Sequence, residues 1–218
     1  MVSFGRASVV AMRIGTVGNG GMAEALGRHW VRAGHEVMIG GRDPERAAAT
    51  AARIGAHAGS LREATSYGEV VLLAVPAEVV VETVAGLEVA AGKVLIDCTN
   101  AIDHRDFTLA RTATAEAVSG VAPHAQVVKG FNLAPDTVWR DGAKGLGVPL
   151  CGESAAVERV AELVRDVGGV PVAAGGLVRA RLLEATAAFA IGIWASGGDV
   201  RGLFAPLSAA IGTAAPSA

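Results

Sequence analysis

The sequence predicts an α/β chain of the Rossmann type, a doubly wound, mostly parallel sheet with a long C-terminal helix. Three observations carry this expectation. Short, continuously apolar runs alternate with amphipathic helical patterns, as parallel strands covered on both faces require. A glycine-rich turn separates the first strand from the first helix. The chain has 218 residues, 51% of them apolar and 18% charged, which suffices for a core of two or three layers and excludes a disordered chain.

In chain order, strands are expected at 12–17, 36–39, 70–75, 93–98, 126–129, 148–151 and 170–173, and helices at 22–33, 44–54, 77–85, 108–119, 155–167 and 177–196. Pro44 and Pro76 stand at or just before a helix start, where a missing N–H costs nothing. Ser154 is a ready N-cap for the helix after it. His29 and His35 flank the end of the first helix as surface or capping residues, and Arg181 and Glu184, three apart, suit a helix-surface pair. In the last helix Leu182, Leu183, Ala185, Thr186, Phe189, Ala190, Ile193 and Trp194 spread apolar character over more than one face. Such a helix must bury both sides, which points to a homodimer formed through it. Residues 1–11 read as a disordered N-terminal extension, 12–175 as the Rossmann domain, and 176–218 as a C-terminal helical segment.

A formal net charge of −2 and 4% aromatics argue against nucleic acid as a partner. Cys98 and Cys151 each follow an apolar run and form no CxxC pair, so both read as small buried residues. The five histidines show no metal-ligand spacing. No apolar run reaches the roughly 18 residues of a membrane span, and the expected location is cytoplasmic.

The motif Gly18-Asn19-Gly20-Gly21-Met22-Ala23 follows the first strand and opens the first helix. It is GxGxxA: Gly18 for the tight turn, Gly20 for backbone approach to a pyrophosphate, Ala23 for close helix–sheet packing. The pyrophosphate would sit at the helix N-terminus, where unpaired N–H groups and the dipole favour an anion. The end of the second strand then selects the cofactor. An NAD site places a carboxylate there; this chain has Ile39-Gly40-Gly41-Arg42-Asp43-Pro44. Gly41 leaves room for a 2′-phosphate, Arg42 offers a planar fork to it, and Arg46 lies one turn on along the same face. Asp43 suits an N-cap for the helix at Pro44. NADP(H) is the expected cofactor.

The glycine loop, the Ile39-Gly40-Gly41-Arg42 strand end, Val148-Pro149-Leu150-Cys151-Gly152-Glu153, and the run from Ala174-Gly175-Gly176-Leu177 to Arg181-Leu182-Leu183-Glu184 together resemble the NADP oxidoreductases that depend on the deazaflavin coenzyme F420. The resemblance implies hydride transfer between NADP(H) and a deazaflavin or flavin. It implies that Asn19, Gly21, Met22, Gly41, Arg42 and Arg46 face the NADP, and that Val75, Pro76, Thr99 and Asn100 border the nicotinamide. It also assigns the segment 176–218 to the acceptor site. Val128-Lys129-Gly130-Phe131-Asn132 is similar to the bacterial branch and to the reductase domain of mammalian metalloreductases, whereas archaeal F420 enzymes carry a histidine near Asn132. The acceptor is therefore open between a deazaflavin, a flavin and a small oxidised substrate. Phe131-Asn132 also reads as an apolar plug and a turn at a strand end.

Hydride transfer between two rings needs stacking with the reacting carbons about 3–3.5 Å apart and little acid–base chemistry. Asn132 and His104 are the candidate catalytic residues. Two alternatives stand beside this reading. One is an NADPH-dependent reductase of a small organic substrate, of the imine or β-hydroxyacid type; those enzymes add a large helical domain, whereas roughly 45 residues follow Val172 here. The other is a non-catalytic NADP sensor, which an incomplete nicotinamide pocket would mark.

Overall fold

The computed structural model describes residues 11–109 and 113–200. Its elements are β1 (Arg13–Val17), α1 (Gly21–Ala33), β2 (Glu36–Gly40), α2 (Pro44–Ile54), β3 (His57–Gly59), α3 (Leu61–Tyr67), β4 (Val70–Leu73), α4 (Ala77–Ala85) and β5 (Val94–Asp97), then a small hairpin β6–β7 (Ile102–Asp103 and Thr108–Leu109). There follow α5 (Thr114–Val121), β8 (Gln126–Lys129), α6 (Asp136–Arg140), β9 (Gly147–Leu150), α7 (Ser154–Asp166), β10 (Val170–Ala173), a 3-10 turn at Leu177–Arg179, and α8 (Ala180–Ala195).

Six parallel strands form the main sheet in the order β3-β2-β1-β4-β5-β8. The chain winds outward from β1 to β3 and then resumes on the other side of β1 with β4, so the strand order reverses between β1 and β4. In such a sheet, ligands bind beyond the carboxyl ends of the strands at that reversal. Val70, Leu72, Val94 and Ile96 point into one core layer with Leu26, Trp30 and Leu163, while Val71, Leu73 and Leu95 point into the other with Val80, Val84 and Val118. Both faces of every central strand are covered, which is why the strands read as continuous apolar runs. The parallel pair β9–β10 joins the sheet edge through one antiparallel bridge between Lys129 and Cys151, whose N–H groups reach each other's carbonyls at 2.8 and 3.0 Å.

Several expectations are corrected. The helix expected at 108–119 divides: Thr108–Leu109 is the second strand of the hairpin, and α5 begins at Thr114. Asp106 accepts hydrogen bonds from the Thr108 N–H (3.1 Å) and hydroxyl (2.7 Å), and this local side-chain bonding competes with a helix. Glu153, not Ser154, is the N-cap of α7. His35 is buried: its Nδ1 accepts the Met12 N–H at 3.0 Å and its Nε2–H donates to Asp166 at 2.9 Å, tying the start of β1 to the end of α7. His29 donates to the Trp139 carbonyl at 2.9 Å and holds α6 against α1.

The long C-terminal helix is present, preceded by one 3-10 turn. It does not bury both sides within the chain. Ala180, Glu184, Ala187 and Ala188 face inward, while Leu182, Phe189 and Trp194 are exposed. Residues 1–10 of the expected extension and 201–218 of the expected C-terminal segment lie outside the described residues. Among the described residues, no helix is long and apolar enough to cross a membrane.

Candidate functional site

The site begins where β1 ends. Gly18 has φ +120°, a conformation L side chains rarely adopt, and a Cβ there would lie 2.3 Å from the Ala74 carbonyl oxygen. Only glycine lets the chain turn this close to the β4 end. The turn is pinned from both sides: the Gly18 N–H donates to Gly40 (3.0 Å) and the Ala74 N–H to Val17 (2.8 Å). Thr16, fully buried, donates its hydroxyl to the Gly18 carbonyl at 2.7 Å and accepts the Gly40 N–H at 3.2 Å.

Gly20 caps α1 without a side-chain hydrogen bond, and a Cβ built on it would meet nothing within 4 Å. Its φ of −83° suits any residue, so what the glycine preserves is open space over the backbone. The first-turn N–H groups of Gly21, Met22 and Ala23 have no intrahelical acceptor and point out of the helix end. Ala23 is fully buried, as close helix–sheet packing demands. Gly21 has a different reason to be small: a Cβ there would lie 2.2 Å from Asp136 Oδ2. Asp136 opens α6 beside the glycine loop, and its carboxylate pairs with Arg140 at 2.9 Å. It escaped the sequence analysis because α6 is five residues long and lies over 100 residues further along; the Pro135-Asp136 step was its one local signal.

At the end of β2, Gly41 makes room for the Asn19 side chain, whose Nδ2 would lie 2.8 Å from an added Cβ. Arg42 and Arg46 are both exposed, and among the described residues neither forms an ion pair. Asp43 caps α2, accepting the Glu45 and Arg46 N–H groups at 3.0 and 3.2 Å. That capping role turns Asp43 Oδ1 toward the α2 backbone and away from the two guanidinium groups.

A cleft of about 490 Å³ lies over this point of the sheet, lined by Gly20, Gly21, Met22, Ala74, Val75, Pro76, Ala77, Cys98, Thr99, Asn100 and Asp136. The structure thus brings together Gly20, Gly21, Met22, Val75, Pro76, Thr99 and Asn100 as expected, and sets Arg42 and Arg46 on the β2 side. His104 is separated from them: it is exposed at the tip of the β6–β7 hairpin and lines no part of the cleft.

Beneath the Thr99 wall is a buried ionic cluster. Lys129 Nζ lies 2.9 Å from Asp97 Oδ2 and 2.9 Å from Glu184 Oε1, and donates to the Thr99 carbonyl as well. All three side chains are at most 1% exposed. Asp97 Oδ1 accepts the Thr99 N–H and hydroxyl at 2.9 and 2.7 Å. Glu184 Oε2 accepts the Thr114 N–H at 3.0 Å and so caps α5 from α8. The expected Arg181–Glu184 surface pair is therefore corrected: Arg181 bonds Glu116 at 2.7 Å, and Glu184 turns inward to Lys129.

Asn132 is 5% exposed. It exchanges two hydrogen bonds with Asn100: Asn100 Nδ2 donates to the Asn132 carbonyl at 2.8 Å, and Asn132 Nδ2 donates to Asn100 Oδ1 at 2.9 Å. The same Nδ2 donates to the Leu183 carbonyl at 3.1 Å, and Asn132 Oδ1 is buried without a partner among the described residues. Phe131 before it has φ +61°, a left-handed conformation costing about 1–3 kcal/mol for a residue with a Cβ. Edge-to-face packing on Trp30 (6.1 Å between ring centres) and Trp139 (5.3 Å) holds it there. The apolar-plug reading of Phe131 holds, but the Asn132 side chain is spent on a specific clamp.

Cys98 lines the cleft and donates its thiol to the Leu73 carbonyl at 3.2 Å. Burial, reinforced by the Asp97 charge, pushes the thiol up to about 12. It therefore stays protonated at pH 8, and iodoacetamide should label Cys98 only after unfolding, as peptide mass spectrometry would show. Rapid labelling of the folded chain would contradict this.

Residues 13–101 match the family of NADP oxidoreductases described as coenzyme F420-dependent. Metalloreductase STEAP3 of Rattus norvegicus is 31% identical over 182 residues, which cover 80% of this chain and 36% of that protein. The chain thus spans about a third of the length of the curated relatives it matches. A solved structure from Arthrobacter sp. FB24, assigned as an F420-dependent NADP reductase, is 25% identical with a TM-score of 0.76, covering 86% of this chain and 96% of that one. Imine reductase from Pseudomonas sp. shares the fold at 18% identity, with a TM-score of 0.70 over 86% of this chain and 64% of that one.

Proposed function

We propose, from the match of residues 13–101 to the family of F420-dependent NADP oxidoreductases and the likeness to the Arthrobacter structure, that the chain moves a hydride between NADP(H) and a deazaflavin, coenzyme F420, or a flavin. The observation that carries the cofactor is the cleft at the strand-order reversal, with open space over Gly20 and two guanidinium groups in place of a carboxylate at the β2 tip. These residues fit NADP: the α1 N-terminus suits the diphosphate, and Arg42 with Arg46 suits the 2′-phosphate.

Bound NADPH supplies a hydride from its nicotinamide ring; with one proton, an oxidised acceptor becomes the reduced acceptor and NADP⁺ is left. The chain contributes position. Gly18 sets the loop close to β4; the first-turn N–H groups of α1 would hold the diphosphate, and Val75, Pro76, Thr99 and Asn100, which line the cleft, would wall the nicotinamide end. The buried Asp97–Lys129–Glu184 cluster fixes Thr99 from behind.

The test is NADPH oxidation followed by absorbance with coenzyme F420, FMN and FAD in turn. Turnover with at least one is expected. No turnover with any of the three, while NADPH binds, would remove the deazaflavin and flavin reading and favour reduction of a small organic substrate or a sensor role.

A further inference from the structure

The corner Phe131–Asn132 carries two local sacrifices at once, a left-handed backbone at a buried phenylalanine and a buried Asn132 Oδ1 with no donor among the described residues. Trp30 and Trp139 hold the first in place; the second needs its own reason. Strained backbone and orphaned polar atoms persist where the surroundings impose them, and they concentrate at functional sites. The orientation of the Asn132 amide is fixed by chemistry: its nitrogen faces two acceptors, Asn100 Oδ1 and the Leu183 carbonyl. A flipped amide would set oxygen against oxygen at both contacts. The unpaired Oδ1 is the consequence of holding Asn100 and α8 together.

Asn100 is what this clamp presents. It is half-buried and lines the cleft, and its two bonds to Asn132 use one N–H and one lone pair of its carboxamide. An asparagine side chain has two N–H groups and two acceptor lone pairs, so one of each is left over. A ligand group that itself offers one donor and one acceptor, as a primary carboxamide does, can use both. Resting on the NADP reading above, we propose that Asn100 reads the carboxamide of the nicotinamide ring and that Asn132 is the positioning residue that locks it in register. Asn132 acts through Asn100 and does not itself line the cleft. The Leu183 bond extends the clamp to α8, so the helix that carries Glu184 also helps to fix the carboxamide reader.

The test is equilibrium binding, measured by calorimetry, of three ligands: NADP⁺, its 3-acetylpyridine analogue, which lacks the carboxamide N–H, and 2′-phospho-ADP-ribose, which lacks the ring. The parent chain should prefer NADP⁺ to the acetylpyridine analogue by about tenfold, in keeping with one lost hydrogen bond. In Asn132→Ala, and in Asn132→Ser, whose side chain is too short to reach Asn100, that preference should fall to within about twofold. Binding of 2′-phospho-ADP-ribose should be unchanged in both variants, which a general folding defect would not allow. An undiminished preference in both variants, or an equal loss for all three ligands, overturns the proposal. Failure of the parent chain to bind 2′-phospho-ADP-ribose would instead overturn the NADP reading itself.

Discussion

Lys129→Met is expected to lower the unfolding free energy by about 3–5 kcal/mol, the range for removing one partner of a buried ion pair. The reason is the asymmetry of the cluster. Among the described residues Lys129 is the single cation between Asp97 and Glu184, each 2.9 Å away and each shielded from water. A methionine fills similar space but leaves two carboxylates buried on β5 and α8 with no positive partner. Marginal stability makes the effect large, since a domain holds about 5–15 kcal/mol in all. At a typical urea slope of about 2 kcal/mol per molar, the midpoint should fall by roughly 2 M. The combined variant Lys129→Met with Asp97→Asn and Glu184→Gln should recover more than half of that loss, because removing all the charges also removes their desolvation cost. Urea titrations followed by circular dichroism decide the matter. A single variant within 1 kcal/mol of the parent would show that the cluster is not charged as drawn here.

The same cluster shows where reading a sequence stops. The glycine loop was legible because its requirements are local: the left-handed Gly18 and the open Gly20 are needed within one turn, and sequence neighbours encode them. The central strands were legible because burial on both faces writes a continuous apolar run, as in Val70–Leu73 and in 94–96 of β5. What was missed is short or distant. β3 has three partly exposed residues and no pattern, although the capping box at Ser60 and Glu63 after it was a readable signal for α3. Glu184 was read as the surface partner of Arg181 because α8 is apolar nearly all round and its helical phase cannot be set from sequence. Its true partner, Lys129, lies 55 positions earlier and meets it only in the folded chain. Asp136 and the Asn100–Asn132 clamp are of the same kind, joining strand ends that only the sheet order makes neighbours.

Arg42→Ala is expected to weaken NADPH binding by about tenfold to a hundredfold and leave NADH binding within about twofold, the effect of removing a charge-assisted, bidentate contact to a phosphate. The geometry separates this change from the fold. Arg42 is exposed and forms no ion pair among the described residues, so its side chain supports nothing else. Asp43 keeps its cap on α2 whether or not the guanidinium is present, because the bonds run from its own Oδ1 to backbone N–H groups. On the NADP reading Arg46, one turn further on, would hold part of the phosphate and so set the upper bound of the single loss; Arg42→Ala with Arg46→Ala should exceed it. Salt gives an independent check. An exposed guanidinium–phosphate contact is screened over about 8–10 Å near physiological ionic strength, so raising the salt should weaken NADPH binding in the parent and change the Arg42→Ala variant less. Fluorescence titrations of both nucleotides, on the parent and the variant and at two salt concentrations, measure these affinities. Equal losses for NADPH and NADH would mean that Arg42 does not read the 2′-phosphate, and any preference would then have to be carried by Arg46.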